Sequence, residues 1–273
     1  MELGANAGSG GCAGMLVEPV ELPLEVLTTA LRWDNRGEPH PTLSGAAVWR
    51  DEDGAREIDE RAWTVLGEQG LVKAGGLRKE FRSAVAVLGR PEVECYGLIT
   101  APNGDWGVLA AASGNEAVLA VRDCTADRVQ VSSIRAGDLA EELIARLPDV
   151  PGGWGRSFNV PEADFLGTRH RTAGEESWVG LAGRSAQDAH PDVARLREVL
   201  SYPRTGSGQL YAAGRDEMGR RYRVARPVTY VDTVNGRWLL QVSRSVAKER
   251  WIVVAPASPR QVLNELHEVQ RSL

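Results

Sequence analysis

The residue types that most often carry chemistry are scattered along this sequence. Its four histidines, His40, His170, His190 and His267, fall in four separate segments. No H-E-x-x-H or H-x-H pair occurs, so no two imidazoles have the spacing of paired metal ligands. Asp188 lies two residues before His190, but that spacing also suits an exposed turn before a helix, which we favour. We therefore predict no metal site.

Nucleophile and phosphate-binding motifs are also missing. There is no G-x-S-x-G, no G-x-x-x-x-G-K-[ST], and no G-x-G-x-x-G between a strand and a helix. Cys12, Cys95 and Cys124 are too far apart for a C-x-x-C motif, and their odd number argues against a disulfide framework. Cys95 and Cys124 lie in apolar, strand-like runs, so we predict that both are core residues. The sequence predicts no catalytic residue, no cofactor and a reducing compartment.

Two features bear on binding. Arg220, Arg221, Arg223 and Arg226 could form a patch for an acidic partner. Alternation along a strand would divide them between two faces, however, and solvated arginines are the favoured interpretation. Trp106 follows a polar hairpin tip, and an indole beside a protruding loop is typical of a binding hot spot. Cross-strand packing of Trp106 is an equal alternative.

Composition excludes several classes of protein. The 273 residues carry a net charge of -5, which disfavours a nucleic-acid binder because phosphate neutralisation needs a basic face. No run of 18 apolar residues occurs, so we expect no membrane insertion. Residues 1–14 are rich in Gly and Ala and lack the pattern of a signal peptide, so we predict a disordered tail there.

The elements that would position these residues alternate between helix and strand patterns. In the first half, a strand leads to a helix after Pro23, and two amphipathic helices follow at Asp59–Leu71 and Leu77–Leu88. Pro102-Asn103-Gly104-Asp105 then predicts a hairpin, because Asn-Gly is a strong turn signal. A capped helix at Asp138–Leu147 closes this half. The predicted strands of its antiparallel meander are Glu92–Ala101, Trp106–Ala112, Ala117–Asp123 and Arg128–Ile134.

The second half repeats this order of elements. A shift of 115 residues places Tyr96 on Tyr211 and Gly104 on Gly219. We therefore predict one domain over residues 15–273, built from half-repeats at about 15–150 and 155–273. The fold class is α+β, with a central, mostly antiparallel sheet, flanking helices and a quasi-two-fold axis. Its predicted elements are strands at Ser157–Val160, Gln209–Gly214, Arg220–Val231, Arg237–Arg244 and Arg250–Ala255, and helices at Pro191–Leu200 and from Ser258.

Three stretches resemble the EspG family, the chaperones of actinobacterial ESX, or type VII, secretion systems. They are Val20–Leu27 with Pro41-Thr42-Leu43 after it, Asp232–Trp238, and Trp251–Ser258 with the closing amphipathic helix. Counting element order, the similarity runs from about Leu16 to Leu273. It implies a quasi-two-fold α+β protein without enzymatic activity. The implied function is to bind the apolar helical tip of a PPE protein in a PE-PPE heterodimer in the cytoplasm, keep it soluble and deliver it for export.

The resemblance also implies a contact surface. Family members bind through a loop between early strands of the first meander and through helices of the C-terminal half. Here the loop corresponds to Pro102, Asn103, Gly104 and Asp105, with Trp106 beside it. The tip is shorter than in the better-known members, and no motif identifies the C-terminal contact residues.

Two other functions remain open from the sequence. A polar loop at residues 167–190 contains Arg169, His170, Arg171, Glu175 and Glu176. It is long enough to form the site of an enzyme or a small-ligand binder. A homodimer paired through a sheet edge is the third hypothesis.

Overall fold

The computed structural model describes residues 15–34, 39–45, 51–169, 190–244 and 249–273. The predicted tail at residues 1–14 and most of the polar loop lie outside these residues. The chain divides into two compact units. The described residues of the first come from Met1–Pro148, Gly208–Pro227 and Leu263–Leu273, and those of the second from Asp149–Ser207 and Val228–Val262.

Strands and helices follow one another in a mixed order. The strands are β1 (Val20–Pro23), β2 (Val72–Lys73), β3 (Gly76–Leu77), β4 (Val93–Ala101), β5 (Gly104–Ser113), β6 (Glu116–Asp123), β7 (Arg128–Ser133), β8 (Phe158–Pro161), β9 (Arg204–Arg215), β10 (Arg221–Arg223), β11 (Val228–Thr233), β12 (Gly236–Arg244) and β13 (Arg250–Pro256). The helices are α1 (Leu24–Trp33), α2 (Glu52–Glu68), α3 (Lys79–Gly89), α4 (Leu139–Ile144), α5 (Glu162–Arg169), α6 (Asp192–Ser201) and α7 (Pro259–Arg271), with a 3₁₀ turn at Pro41–Leu43. This is the α+β class that the sequence predicts, with antiparallel strand pairs and flanking helices.

The first unit is built on the predicted meander. Its strands are hydrogen-bonded in the order β1-β7-β6-β5-β4-β9, and β10 pairs with β9. The four predicted strands from Glu92 to Ile134 are confirmed within about two residues at each end. Leu109 and Ala111 of β5 pack into a buried cluster with α1 and α3. Val108 and Ala110 are also buried and alternate onto the other face of the strand, so this central part of β5 is buried on both faces.

The boundaries of α2 and α4 differ from the sequence predictions. α2 begins at Glu52, seven residues before the predicted Asp59, because the Asp51 side chain accepts a hydrogen bond from the Gly54 N–H at 2.9 Å. The prediction that Asp138 caps α4 is wrong, since its side chain makes no capping hydrogen bond. α4 also ends early, at Ile144.

Two local predictions need correction at turns. The predicted strand Arg220–Val231 is divided into β10 and β11, because Pro227 has no N–H to donate to a ladder. Between the two predicted helices Asp59–Leu71 and Leu77–Leu88, Ala74 and Gly75 form a turn that joins β2 to β3. Both residues have positive φ, 48° and 81°, which suits a tight hairpin turn.

The second unit has strands hydrogen-bonded in the order β11-β12-β13-β8. Phe158, Trp238 and Val254 form its core with the inner side of α6. Trp238 of β12 is 1% exposed, as its strongly apolar sequence neighbours predict. Trp251 of β13 also has strongly apolar neighbours in the sequence, which favours a core position, but it is only half-buried. The predicted half-repeats and quasi-two-fold axis stay predictions.

A buried ion pair joins β11 to β12 beside this core. Asp232 of β11 and Arg237 of β12 are cross-strand partners. The guanidinium donates to both carboxylate oxygens, at 2.6 Å and 2.8 Å. The Arg237 backbone holds the preceding linker, accepting a hydrogen bond from Gly153 N at 2.8 Å. Gly153 cannot carry a side chain, because a Cβ there would lie 2.3 Å from the Trp238 ring.

No helix in the described part of the chain is long and apolar enough to cross a membrane.

We expect Asp232→Asn to destabilise the protein by about 3 kcal/mol or more, because it removes the charge that compensates a fully buried guanidinium. Urea unfolding followed by tryptophan fluorescence would measure the loss. Glu268→Gln, which removes an exposed ion pair with Arg271, is the control and should cost less than about 1 kcal/mol. Equal effects of the two substitutions would contradict the prediction.

Candidate functional site

The predicted hairpin at Pro102–Asp105 forms between β4 and β5. In its register Thr100 faces Asp105 and Ala101 faces Gly104. Pro102 and Asn103 are therefore the two turn residues, and Gly104 is the first residue of β5. Gly104 has a φ of +134°, a conformation that side chains rarely adopt, so glycine is required there.

The tip presents a small polar surface. Pro102, Asn103 and Asp105 are exposed, whereas Gly104 and Trp106 are half-buried. Trp106 lies between Ile99 of β4 and Asp123 of β6 in the two ladders. The indole thus combines cross-strand neighbours with partial exposure, and the register brings it together with the four tip residues.

The turn that follows β6 is hydrogen-bonded to the hairpin tip. The N–H of Cys124 donates to the carbonyl of Asp105 at 2.9 Å. Asp123 closes its own turn by accepting hydrogen bonds from Thr125 N at 2.8 Å and Ala126 N at 2.9 Å. Since the β4–β5 tip is tied to this closed turn, little backbone freedom remains to be lost when a partner binds.

Sequence reasoning missed one apolar residue beside the tip. Leu98 of β4 is 54% exposed. Its cross-strand partner is Gly107, which has no side chain to cover it. Gly107 is itself required, because a Cβ there would lie 2.6 Å from the carbonyl oxygen of Thr42. No local sequence pattern identifies this exposed leucine, because only the strand register shows that a glycine lies opposite it. Leu98 lies on the opposite face of the β4–β5 pair from Trp106, which shares the face of Ile99. We call Leu98 and residues 102–106, which together cover both sides of the tip, the hairpin-tip surface.

A buried polar cluster lies on the same strand. The Glu94 carboxylate, 2% exposed, accepts a hydrogen bond from Arg221 Nε at 2.7 Å and lies 3.5 Å from His40 Nε2. Burial alone raises the pKa of Glu94. The hydrogen bond and charge of His40, with those of Arg221, outweigh burial and hold this pKa below its ordinary value. Glu94 is therefore ionised at neutral pH and is poorly suited to be a general acid or base.

The arginine cluster is only partly solvated, which corrects the sequence interpretation. Arg221 reaches the buried Glu94 and lies over the ring of Tyr96, 5.5 Å from its centroid. Arg223 lies 4.7 Å from the ring centroid of Tyr211, and the two tyrosines stack at 5.1 Å. Arg221 and Arg223 therefore share one face, as alternation predicts, but that face packs on aromatic rings.

The cysteines divide between two environments. Cys95 is fully buried, which confirms its prediction as a core residue, and burial raises the pKa of its thiol to about 12. Cys124 was also predicted to be core, but it is only half-buried because it lies in the turn after β6. Its pKa is also raised, mainly by burial and against the opposing charge of Arg122. Neither thiol is in an environment that activates a nucleophile.

The alternative site in the polar loop has few described members. Residues 170–189, which include His170, Arg171, Glu175, Glu176 and Asp188, lie outside the described residues. His190 stands in the turn before α6, where the sequence predicts it, and its Nδ1 accepts a hydrogen bond from Asp192 N at 3.3 Å. Its ring meets Trp251 edge-on, with the centroids 5.8 Å apart. His190 therefore has a structural role at the start of the helix.

Comparison with known proteins gives a family and a fold. The model of the EspG family matches residues 23–268 of this chain. Among solved structures, the chain is similar to the Mycobacterium tuberculosis type VII secretion system chaperone EspG5, solved in complex with the PE25-PPE41 dimer. The TM-score is 0.61 at 18% sequence identity, covering 94% of this chain and 97% of the other. No curated protein matches the chain.

The Glu94 cluster makes stability depend on pH. A carboxyl whose pKa is depressed by folding stabilises the protein above its unfolded pKa, here 4.5, and loses that contribution as pH falls through the folded value. We expect Glu94→Gln to cost about 1–3 kcal/mol near pH 7, with the difference from wild type shrinking at about pH 3. Urea unfolding at both pH values measures this.

Glu116→Gln on β6 is the matched control. It should change stability by less than about 1 kcal/mol at either pH. A deficit of Glu94→Gln that is equally large at both pH values would contradict the assigned ionisation.

Proposed function

The chain belongs to the EspG family, and we propose that it is a cytosolic, non-enzymatic chaperone for a PE-PPE-type substrate of a type VII secretion system. In this proposal it binds the apolar helical tip of the PPE protein, keeps the heterodimer soluble and delivers it to the secretion machinery. The observation that carries the proposal is the family match over residues 23–268. The fold similarity to a chaperone solved with its PE-PPE dimer supports it.

The physical need for such a protein is simple. A helical bundle that exposes a large apolar tip associates with other apolar surfaces. Covering the tip removes apolar area from water at about 25 cal/mol per Å², from which the entropy cost of association must be subtracted. This function requires a stable, complementary surface and no catalytic group.

The hairpin-tip surface has the properties of such a contact. Leu98 offers exposed apolar area, Trp106 offers a half-buried indole, and Pro102 and Asn103 project from a turn held by neighbouring backbone. An exposed leucine and an aromatic side chain at a rigid tip provide anchors at low ordering cost. We propose that Leu98 and residues 102–106 contact the substrate.

The first test is co-expression with a PE-PPE pair, ideally one encoded near the gene. We expect wild-type protein to co-purify with the pair and to raise its soluble fraction. Failure to co-purify with such candidate pairs, with their solubility unchanged, would contradict the proposed function.

The second test addresses the surface. Asn103→Arg places a long, charged side chain at the tip and should weaken the co-purified complex at least about tenfold, because a buried unpaired charge costs several kcal/mol. Binding of the purified PE-PPE dimer by calorimetry gives the affinity. The thermal unfolding midpoint shows that the fold is intact.

Asn115→Arg provides a matched control for this substitution. Asn115 is an exposed asparagine in the β5–β6 turn, at the opposite end of β5 from the tip. The Asn115→Arg substitution should leave the affinity for the PE-PPE dimer unchanged. Equal loss from both variants, or none from Asn103→Arg, would remove the hairpin tip from the proposal while leaving the chaperone function standing.

A further inference from the structure

Two tryptophans of the first unit, one half-buried and one exposed, form an aromatic pair at the surface. Trp33 at the end of α1 and Trp63 on α2 meet edge to face, with ring centroids 5.5 Å apart at an interplanar angle of 62°. Trp63 is 39% exposed. With Asp59, Glu60 and Thr64 they line an open cleft of about 430 Å³. Large aromatic side chains left in water at one site are a feature of binding surfaces.

The two carboxylates of the cleft differ in their partners: Asp59 is paired with an arginine, and Glu60 is paired with none that the structure describes. Asp59 Oδ1 accepts hydrogen bonds from Trp33 Nε1 at 2.9 Å and from Arg32 at 2.5 Å. This carboxylate orients the Trp33 ring and is paired with a cation. Glu60 is exposed and forms no ion pair with any described residue. One carboxylate therefore positions an indole and the other remains available to a ligand.

The surroundings of the cleft favour a cation. α2 contains six acidic residues and two arginines. Both arginines are engaged, Arg56 with Glu52 and Asp53, and Arg61 with Glu25. An uncompensated negative potential therefore surrounds the indoles. The negative faces of aromatic rings attract the same kind of ligand.

We propose that this aromatic–acidic cleft, lined by Trp33, Asp59, Glu60 and Trp63, binds an arginine side chain presented by a partner polypeptide. A guanidinium is planar, so it can stack on the exposed Trp63 ring while it donates to the Glu60 carboxylate. An ammonium group can do only one of these well. Binding by the hairpin-tip surface does not require this cleft, so the two proposals stand independently.

The shape of the cleft selects a polypeptide over a free small cation. Ligand pockets for small molecules bury most of the ligand surface, whereas this cleft is open and both indoles remain partly in water. A free ammonium ion would stay largely hydrated there. An arginine carried on a chain gains contacts from its aliphatic stem and its backbone as well.

The test is a titration of the full-length, ¹⁵N-labelled protein with the peptide acetyl-Gly-Arg-Gly-amide, followed through the indole N–H signals by NMR. The Trp33 and Trp63 signals should shift and saturate. We expect Trp63→Leu to weaken binding about two- to fivefold through the lost cation–π contact, and Glu60→Gln to do so by a similar factor. Glu60 is exposed, so its variant remains a valid test if Trp63→Leu fails to fold.

The controls match each substitution elsewhere in the chain. Trp154→Leu removes a tryptophan that is 87% exposed in the second unit, and Glu68→Gln removes a carboxylate at the C-terminal end of α2, outside the residues that line the cleft. Both should bind the peptide as the wild type does. The same peptide with lysine in place of arginine should bind to the wild-type protein more weakly than the arginine peptide does.

Three results would overturn the proposal. The first is equal binding of the peptide with citrulline, the neutral isostere, in place of arginine. The second is binding of tetramethylammonium as tight as that of the arginine peptide, which would indicate a small-cation site instead. The third is unchanged affinity in folded Glu60→Gln and Trp63→Leu variants.

Discussion

The ladder between β4 and β5 is the interaction on which the first unit depends. It joins nine residue pairs in continuous antiparallel register, from Val93–Ala112 to Ala101–Gly104. Buried side chains cover both faces of β5, so a one-residue slip would exchange the two sets of core contacts. The same register sets the two turn residues, the exposure of Leu98 and the position of Glu94. The candidate contact surface is therefore a direct consequence of strand pairing.

The sequence predicts those features whose signals are local. The meander and its hairpin follow from alternating apolar runs and an Asn-Gly turn, and the structure confirms them. The sequence does not reveal that Leu98 is exposed, because this depends on Gly107 across the ladder and on Thr42 beyond it. The Arg221–Glu94 pair joins residues 127 positions apart, which no local pattern encodes. The β2–β3 turn is missed because Ala74, a residue that seldom has positive φ, occupies one of its positions.

Each unit contains a buried carboxylate that is paired with an arginine, and the different exposure of the two arginines gives the pairs different roles. Arg237 is fully buried with Asp232, where desolvation offsets much of the Coulombic attraction. The backbone of Arg237, separately from its side chain, holds the 151–153 linker against β12. Arg221 is 33% exposed over a 2% exposed Glu94, so only one partner is taken fully out of water. That pair fastens β10 and the His40 segment to β4.

Two hairpins of the chain share a short sequence, and comparing them clarifies the role of Trp106. Asn103-Gly104-Asp105-Trp106 and Asn235-Gly236-Arg237-Trp238 both place glycine with positive φ as the first residue of the second strand. In the second hairpin the tryptophan is 1% exposed, because Gly153 and Phe158 pack against it. The same local sequence leaves Trp106 half-buried. Since the turn chemistry is shared, the difference comes from tertiary packing, and the indole surface that Trp106 retains in water is available to a partner.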